Sequence, residues 1–263
     1  MELRCHALHV LCLADPAGKA GQAGALGGCA ATLSIAQQRP EVSAPVPGRP
    51  PLPVLVHASK VPRRSPTSPR GLAALLHAIA HIEYNAINLA ADAAWRFDGM
   101  PRVFHLDWVR VMAEEAYHFS LLRDHLRSLG FDYGDFDAHD NLWSMCEKTK
   151  DDVVARMALV PRTLEARGLD ATPQIQEKLR KVGTPAAQRA VEILDIILRD
   201  EIGHVAVGNQ WYRWLCARDG LDPVDHYALL AARHGAPVPR PPFNLAARLA
   251  AGFTAAEIEA LGS

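Results

Sequence analysis

No CxxC pair occurs in this sequence, and its five cysteines (Cys5, Cys12, Cys29, Cys146 and Cys216) are odd in number and widely spaced. That excludes a disulfide framework and suits a reduced compartment. No uninterrupted apolar run reaches the roughly 18 to 20 residues that span a bilayer, which excludes a membrane-crossing helix. A surplus of charge of either sign is also lacking. With 28 basic and 29 acidic residues the net charge is −1, so there is no global electrostatic footprint for nucleic acid or an anionic membrane. The first twenty residues, MELRCHALHVLCLADPAGKA, lack the basic start and continuous apolar core of a signal peptide. No segment alternates convincingly with period two, so strands are not expected. These absences leave a soluble, cytoplasmic, all-α protein with no membrane partner. At 263 residues and 49% apolar, it can bury a sizeable core.

What is present is proline in one place and helical periodicity almost everywhere else. Residues 40–69 hold nine prolines, which remove backbone donors and fix φ, so this stretch is extended chain. Leu52, Val54, Leu55 and Val56 within it are too apolar for a free linker, and it is expected to wrap a helical bundle as a belt. The run Arg63-Arg64 with Arg70 reads as a solvated turn rather than a nucleic-acid contact. One domain is expected: N-terminal helices over 1–39, the proline-rich segment over 40–68, a four-helix core over 69–218 and a helical appendage over 219–263.

Local punctuation divides the core. Ser68-Pro69 opens a helix that Gly99-Met100-Pro101 ends, and a second runs from there to Gly130. A third is expected over 141–167, kinked at Pro161 and stopped at Gly168, with a short helix starting at Thr172-Pro173. The longest runs from Thr184-Pro185 to Arg218. Asp222-Pro223 starts another, Asn244–Ala250 forms a short one, and Thr254 with Glu257 makes a capping box.

The chemistry lies on apolar helix faces. Glu115 and His118 are three residues apart, as are Glu201 and His204, and each pair shares one face of its helix. Burying a carboxylate beside an imidazole is costly unless something pairs with both. Glu83 falls in the apolar stripe of a third helix, and Glu165 lies in the last turn of a fourth. The order is therefore Glu, Glu-x-x-His, Glu, Glu-x-x-His, the ligand set of a carboxylate-bridged di-metal site in a four-helix bundle. Hard oxygen donors with a few imidazoles suit two ions of iron or manganese class, or a mixed pair, with iron expected. Glu165 is the weakest member, close to a predicted helix end. Asp200, beside Glu201, is a candidate to orient a ligating histidine, and His81 is a second such candidate. Gly203 and Gly208 interrupt the helix that carries Glu201, and Gly208, one turn beyond His204, is expected to clear room for a substrate or O₂.

The segments HAIAHIEYNAINLAADAAWRF, EEAYHFSLLRDHLRSLG, RMALVPRTLEARGLD, DEIGHVAVGNQWY and PPFNLAARLAAGF resemble the family catalogued as domain of unknown function 455. The resemblance covers most of the chain. It implies a ferritin-like four-helix bundle related to the tRNA hydroxylase MiaE, with a di-iron-type site at Glu83, Glu115, His118, Glu165, Glu201 and His204. It supplies no reaction. The expected activity is that of an O₂-activating di-iron hydroxylase acting on a small molecule or a modified nucleoside, as a monomer or small homo-oligomer. The neutral charge balance gives a tRNA substrate no support of its own. A ferritin-like metal-binding protein or ferroxidase and a non-catalytic helical scaffold are the alternatives.

Overall fold

Ser68 accepts a hydrogen bond from the Gly71 N–H at 3.1 Å, and Pro69 occupies the first helical position. This cap starts α3 (Pro69–Arg96), one of two long helices that organise the first half of the chain. The other, α4 (Arg102–Ser128), ends where Gly130 adopts φ 79° and the Phe131 N–H bonds back to the Leu126 carbonyl at 3.1 Å. Only a residue without Cβ takes that left-handed position cheaply. The computed structural model describes residues 2–42, 44–62 and 65–262. Arg63 and Arg64, expected in a solvated turn, lie outside them.

The fold is all-α, and among the described residues the sole extended pairing is an isolated bridge between Leu55 and Ala138. The remaining helices are α1 (Leu3–Cys12), α2 (Pro16–Cys29), α5 (Asn141–Lys148), α6 (Val153–Leu159), α7 (Ala166–Val182), α8 (Pro185–Asp219), α9 (Pro223–His234), α10 (Leu245–Ala250) and α11 (Ala255–Gly262). None of the helices is long and apolar enough to cross a membrane, among the described residues.

The chain packs as two compact units, Met1–Trp143 with Val182–Ile193, and Ser144–Lys181 with Leu194–Ser263. In the first unit α1 packs on α3, α2 on α4, and α3 on α4. Arg4, almost fully buried, donates from Nη2 and Nε to the Trp95 carbonyl at 2.7 and 2.9 Å and so satisfies the last turn of α3. The belt is held by backbone. The Gly48 N–H donates to the Leu11 carbonyl at 2.8 Å, and a Cβ at Gly48 would lie 2.0 Å from the Cys12 oxygen. Buried Lys19 donates to the Leu11 and Gly48 carbonyls and to the Asn88 amide oxygen, which joins α2 to the belt and to α3. The belt therefore wraps as expected, but its apolar residues do not face inward. Leu52, Val54 and Leu55 are exposed while Pro53 is buried. Backbone pairing with Ala138 sets which side chains turn in, and it overrides their hydrophobicity.

In the second unit Ala166, Leu169, Val205, Ala247, Ala251 and Phe253 form an apolar core. Here the expected boundaries fail. No single helix covers 141–167. The chain breaks after Lys148, restarts at Val153 under an Asp152 cap, and widens into a π-turn over Val160–Glu165. Gly168 does not stop α7, which continues through Pro173. Proline cannot donate to the carbonyl four residues back, Leu169, and the Asn244 side-chain amide donates there instead at 3.2 Å. Arg248 reinforces the same turn by pairing with Asp170 at 2.6 Å. The Thr254–Glu257 capping box forms as expected, with the Thr254 N–H donating to Glu257 at 2.7 Å and the Glu257 N–H to Thr254 Oγ1 at 3.2 Å.

Candidate metal centre

Helix α3 carries Glu83, and α4 carries Glu115 and His118 one turn apart; all three are buried. His118 Nδ1 lies 3.4 Å from Glu83 Oε2 and 3.4 Å from Glu115 Oε2. On α8 the second motif repeats the geometry, with His204 Nδ1 3.4 Å from Glu201 Oε1 and both residues buried. These separations exceed the usual 2.7–3.2 Å of a direct hydrogen bond. They match two donors on one cation, since ligands roughly 2.1 Å from an ion sit about 3 to 4 Å apart.

Glu83, Glu115, His118 and Glu201 each offer one ligand atom, and these atoms lie within 4.8 Å of one another. This buried group of carboxylates and an imidazole can hold a metal ion. The donor set fits: oxygen-rich with imidazole, the preference of iron and manganese rather than of thiolate-bound metals. A buried Glu83 oxygen also has no hydrogen-bond partner among the described residues, as expected of an atom reserved for a cation.

Electrostatics without a cation agree. Burial, then the negative charge of Glu115, push the Glu83 carboxyl up to about 8. Burial works to lower His118, but its two carboxylate neighbours, Glu115 and Glu83, outweigh it and push the imidazole up to about 11. Protons thus compensate charge where a cation would.

Residues 13–259 match the family described as protein of unknown function DUF455. The chain belongs to the DUF455 family. A protein of Haemophilus influenzae Rd described as uncharacterized is 51% identical over 218 residues, 79% of this chain and 73% of the relative. No solved structure matches the chain.

The remaining predicted residues of this DUF455 chain are placed as follows. Glu165 is half-buried and is the last residue of the π-turn. Asp200 accepts hydrogen bonds from the neighbouring Arg199 at 2.8 and 3.1 Å. His81 sits in a separate cluster, with Nδ1 2.8 Å from the Tyr133 hydroxyl and Nε2 3.1 Å from the His139 carbonyl. The expectation that Gly208 makes room for a ligand is corrected. A Cβ there would lie 2.5 Å from Pro161 Cβ and Cγ, so the proline ring fills the space. No heavy atom lies within 4 Å of a Cβ at Gly203, other than those of its own helix backbone and chain neighbours.

Sequence reasoning gave no role to Arg162 or Asn209 and only a capping role to Glu257. Arg162 is buried, donates to Asn209 at 2.7 Å and pairs with Glu257 at 2.8 Å. Its guanidinium also lies 4.7 to 5.4 Å from the ring centres of Phe253, Tyr212 and Tyr227. No local signal reveals this, because the partners are distant in sequence.

Proposed function

We propose that this protein is a ferritin-like di-metal carboxylate oxidoreductase in which Glu83, Glu115, His118, Glu165, Glu201 and His204 hold two ions, iron first. The observation that carries this reading is the convergence of four buried ligand groups within 4.8 Å. When bound, an iron pair supplies the site with O₂ activation for the hydroxylation of a C–H bond. The chain's own contribution is to hold carboxylates that balance the ions' charge and to keep the group buried, which excludes bulk water from the reacting centre. Asp200 is proposed to orient a ligating histidine. The resemblance to MiaE-type hydroxylases makes a modified nucleoside the first substrate to try, with a small organic molecule as the broader class.

The test is to add increasing Fe²⁺ in the presence of O₂ and measure iron retained and O₂ consumed. An oxygenase saturates near two irons per chain and then consumes O₂ only with an oxidisable substrate and a reductant. Continued uptake far beyond two irons per chain replaces this reading with iron storage, and no retained iron leaves a helical scaffold.

A further inference from the structure

The π-turn over Val160–Glu165 departs from regular helix for one turn, and three consecutive residues within it are fixed from outside. Pro161 is seated directly on Gly208 of α8. Arg162 is paired with Asn209 of α8 and with Glu257 of α11, and it lies over three aromatic rings. Thr163 Oγ1 lies 2.8 Å from the Ala158 carbonyl and 3.0 Å from the Tyr227 hydroxyl of α9. Asn209 in turn donates to the Ala251 carbonyl at 2.8 Å, and Arg213 joins Glu257 at 2.6 Å.

Burying a guanidinium and a carboxylate together stabilises a fold no better, as a rule, than apolar residues of the same volume. An interior glycine costs about 1 kcal/mol against alanine. A π-turn forgoes regular helical hydrogen bonding. All three costs meet in one place, and together they fix the rotation of the helix at Glu165. One extra residue in a turn re-aims whatever follows by about 100°.

We propose that Arg162, Glu257 and Gly208 are positioning residues for Glu165: a clamp built by α8 and α11 holds the π-turn so that this carboxylate is presented as a metal ligand. This rests on the reading of Glu165 as a ligand given above. The C-terminal helix then has a function that its capping box does not reveal. Glu257 Oε2 caps α11 at Thr254 while Oε1 anchors Arg162, so folding of the tail and aiming of the ligand share one side chain.

Glu257→Gln tests this, because the glutamine oxygen can keep the capping box while the amide NH2 then turned toward Arg162 can neither accept from the guanidinium nor balance its charge. Metal stoichiometry and stepwise affinity are measured on the full chain with Fe²⁺ without O₂, and with Mn²⁺, alongside Glu165→Gln as reference. Wild type is expected to bind two ions. Glu165→Gln and Glu257→Gln are each expected to weaken the second ion at least tenfold and leave the first. Pro161→Ala, which returns an N–H to the turn and lets it relax to regular helix, is expected to stay folded by circular dichroism and still lose the second ion. Two ions held with wild-type affinity in both Glu257→Gln and Pro161→Ala would overturn the clamp and leave the di-metal reading standing. Absence of bound metal in the wild type overturns both. Unchanged binding in Glu165→Gln alone removes Glu165 as ligand and the clamp with it.

Discussion

The two Glu-x-x-His turns are alike in local geometry and differ in surroundings. In each, Nδ1 lies 3.4 Å from the carboxylate three residues before it. His118 on α4 has a second carboxylate, Glu83, at the same distance, and all three groups are buried to within a few per cent. His204 on α8 is as deeply buried, but one turn beyond it α8 meets the Pro161 ring at Gly208. The i, i+3 spacing accounts for the pair in both cases. What turns a pair into a site comes from another helix: the α4 pair gains Glu83, and Glu201 of the α8 pair joins that same ligand group, while beyond His204 the α8 backbone meets Pro161.

The largest effect should therefore fall on the α4 turn. Glu115→Gln removes a charge that Glu83 and His118 are arranged around, and metal affinity should drop by more than about 100-fold in a metal titration, beyond what loss of an outer-shell partner costs. An equal or larger loss in Glu201→Gln with Glu115→Gln unaffected would reverse the comparison. Next comes Gly208→Leu on α8. Its side chain must displace the Pro161 ring, and overpacking of this kind costs roughly 1–3 kcal/mol in denaturant unfolding. If the site were open there, stability would hold.

A somewhat smaller effect tests what supports α8 at Val205, which packs in one core with Leu169 and Ala247. Asn244→Ala leaves the Leu169 carbonyl without its side-chain donor and should cost about 1–2 kcal/mol. Adding Pro173→Ala restores a backbone donor to that carbonyl and should recover part of the loss. Strict additivity of the two substitutions would show that Asn244 does not stand in for the missing N–H.

A pH dependence of the α4 turn is also expected when metal is absent. Glu83 holds its proton to higher pH in the native state than in the unfolded chain, so stability falls as pH rises through the interval between the ordinary carboxylate value and about 8. His118, raised by its two carboxylates, contributes stability that is complete below the ordinary imidazole value and is lost toward alkaline pH. Both signs agree. Metal-free protein should lose several kcal/mol between about pH 6 and pH 9, at about 1.4 kcal/mol per pH unit for each group, measured as a urea midpoint. Metal-loaded protein should lose less, because a cation replaces the protons. A flat profile without metal would remove the electrostatic argument for the α4 turn.

The helices around Glu83, Glu115 and Glu201 were legible because local rules and tertiary packing agree there. Ser68 caps α3, Gly130 ends α4, and Asp222 caps α9, each by a hydrogen bond or φ value that its residue type favours. Every member of the converging ligand group was visible as a charged residue on an apolar stripe. The stretch 144–182 was not legible, because its local signals are answered from far away. Pro173 should break a helix and does not, since Asn244 supplies the missing donor. Pro161 should only kink one and instead sits in a π-turn that Gly208 and Arg162 hold in place. Gly208 looked like open space for the same reason: the sequence shows the missing side chain but not the ring that fills its place. The outward side chains of the belt were missed because pairing with Ala138 lies outside any hydrophobic pattern.

The most direct test of the proposed di-metal centre is anaerobic reconstitution with ⁵⁷Fe²⁺, followed by metal analysis and Mössbauer spectroscopy before and after O₂. Two irons per chain, coupled as a pair once oxidised, is the result the proposal predicts, and the convergence of Glu83, Glu115, His118 and Glu201 is what supports metal binding there. Retention of no stoichiometric iron or manganese by folded protein would contradict it.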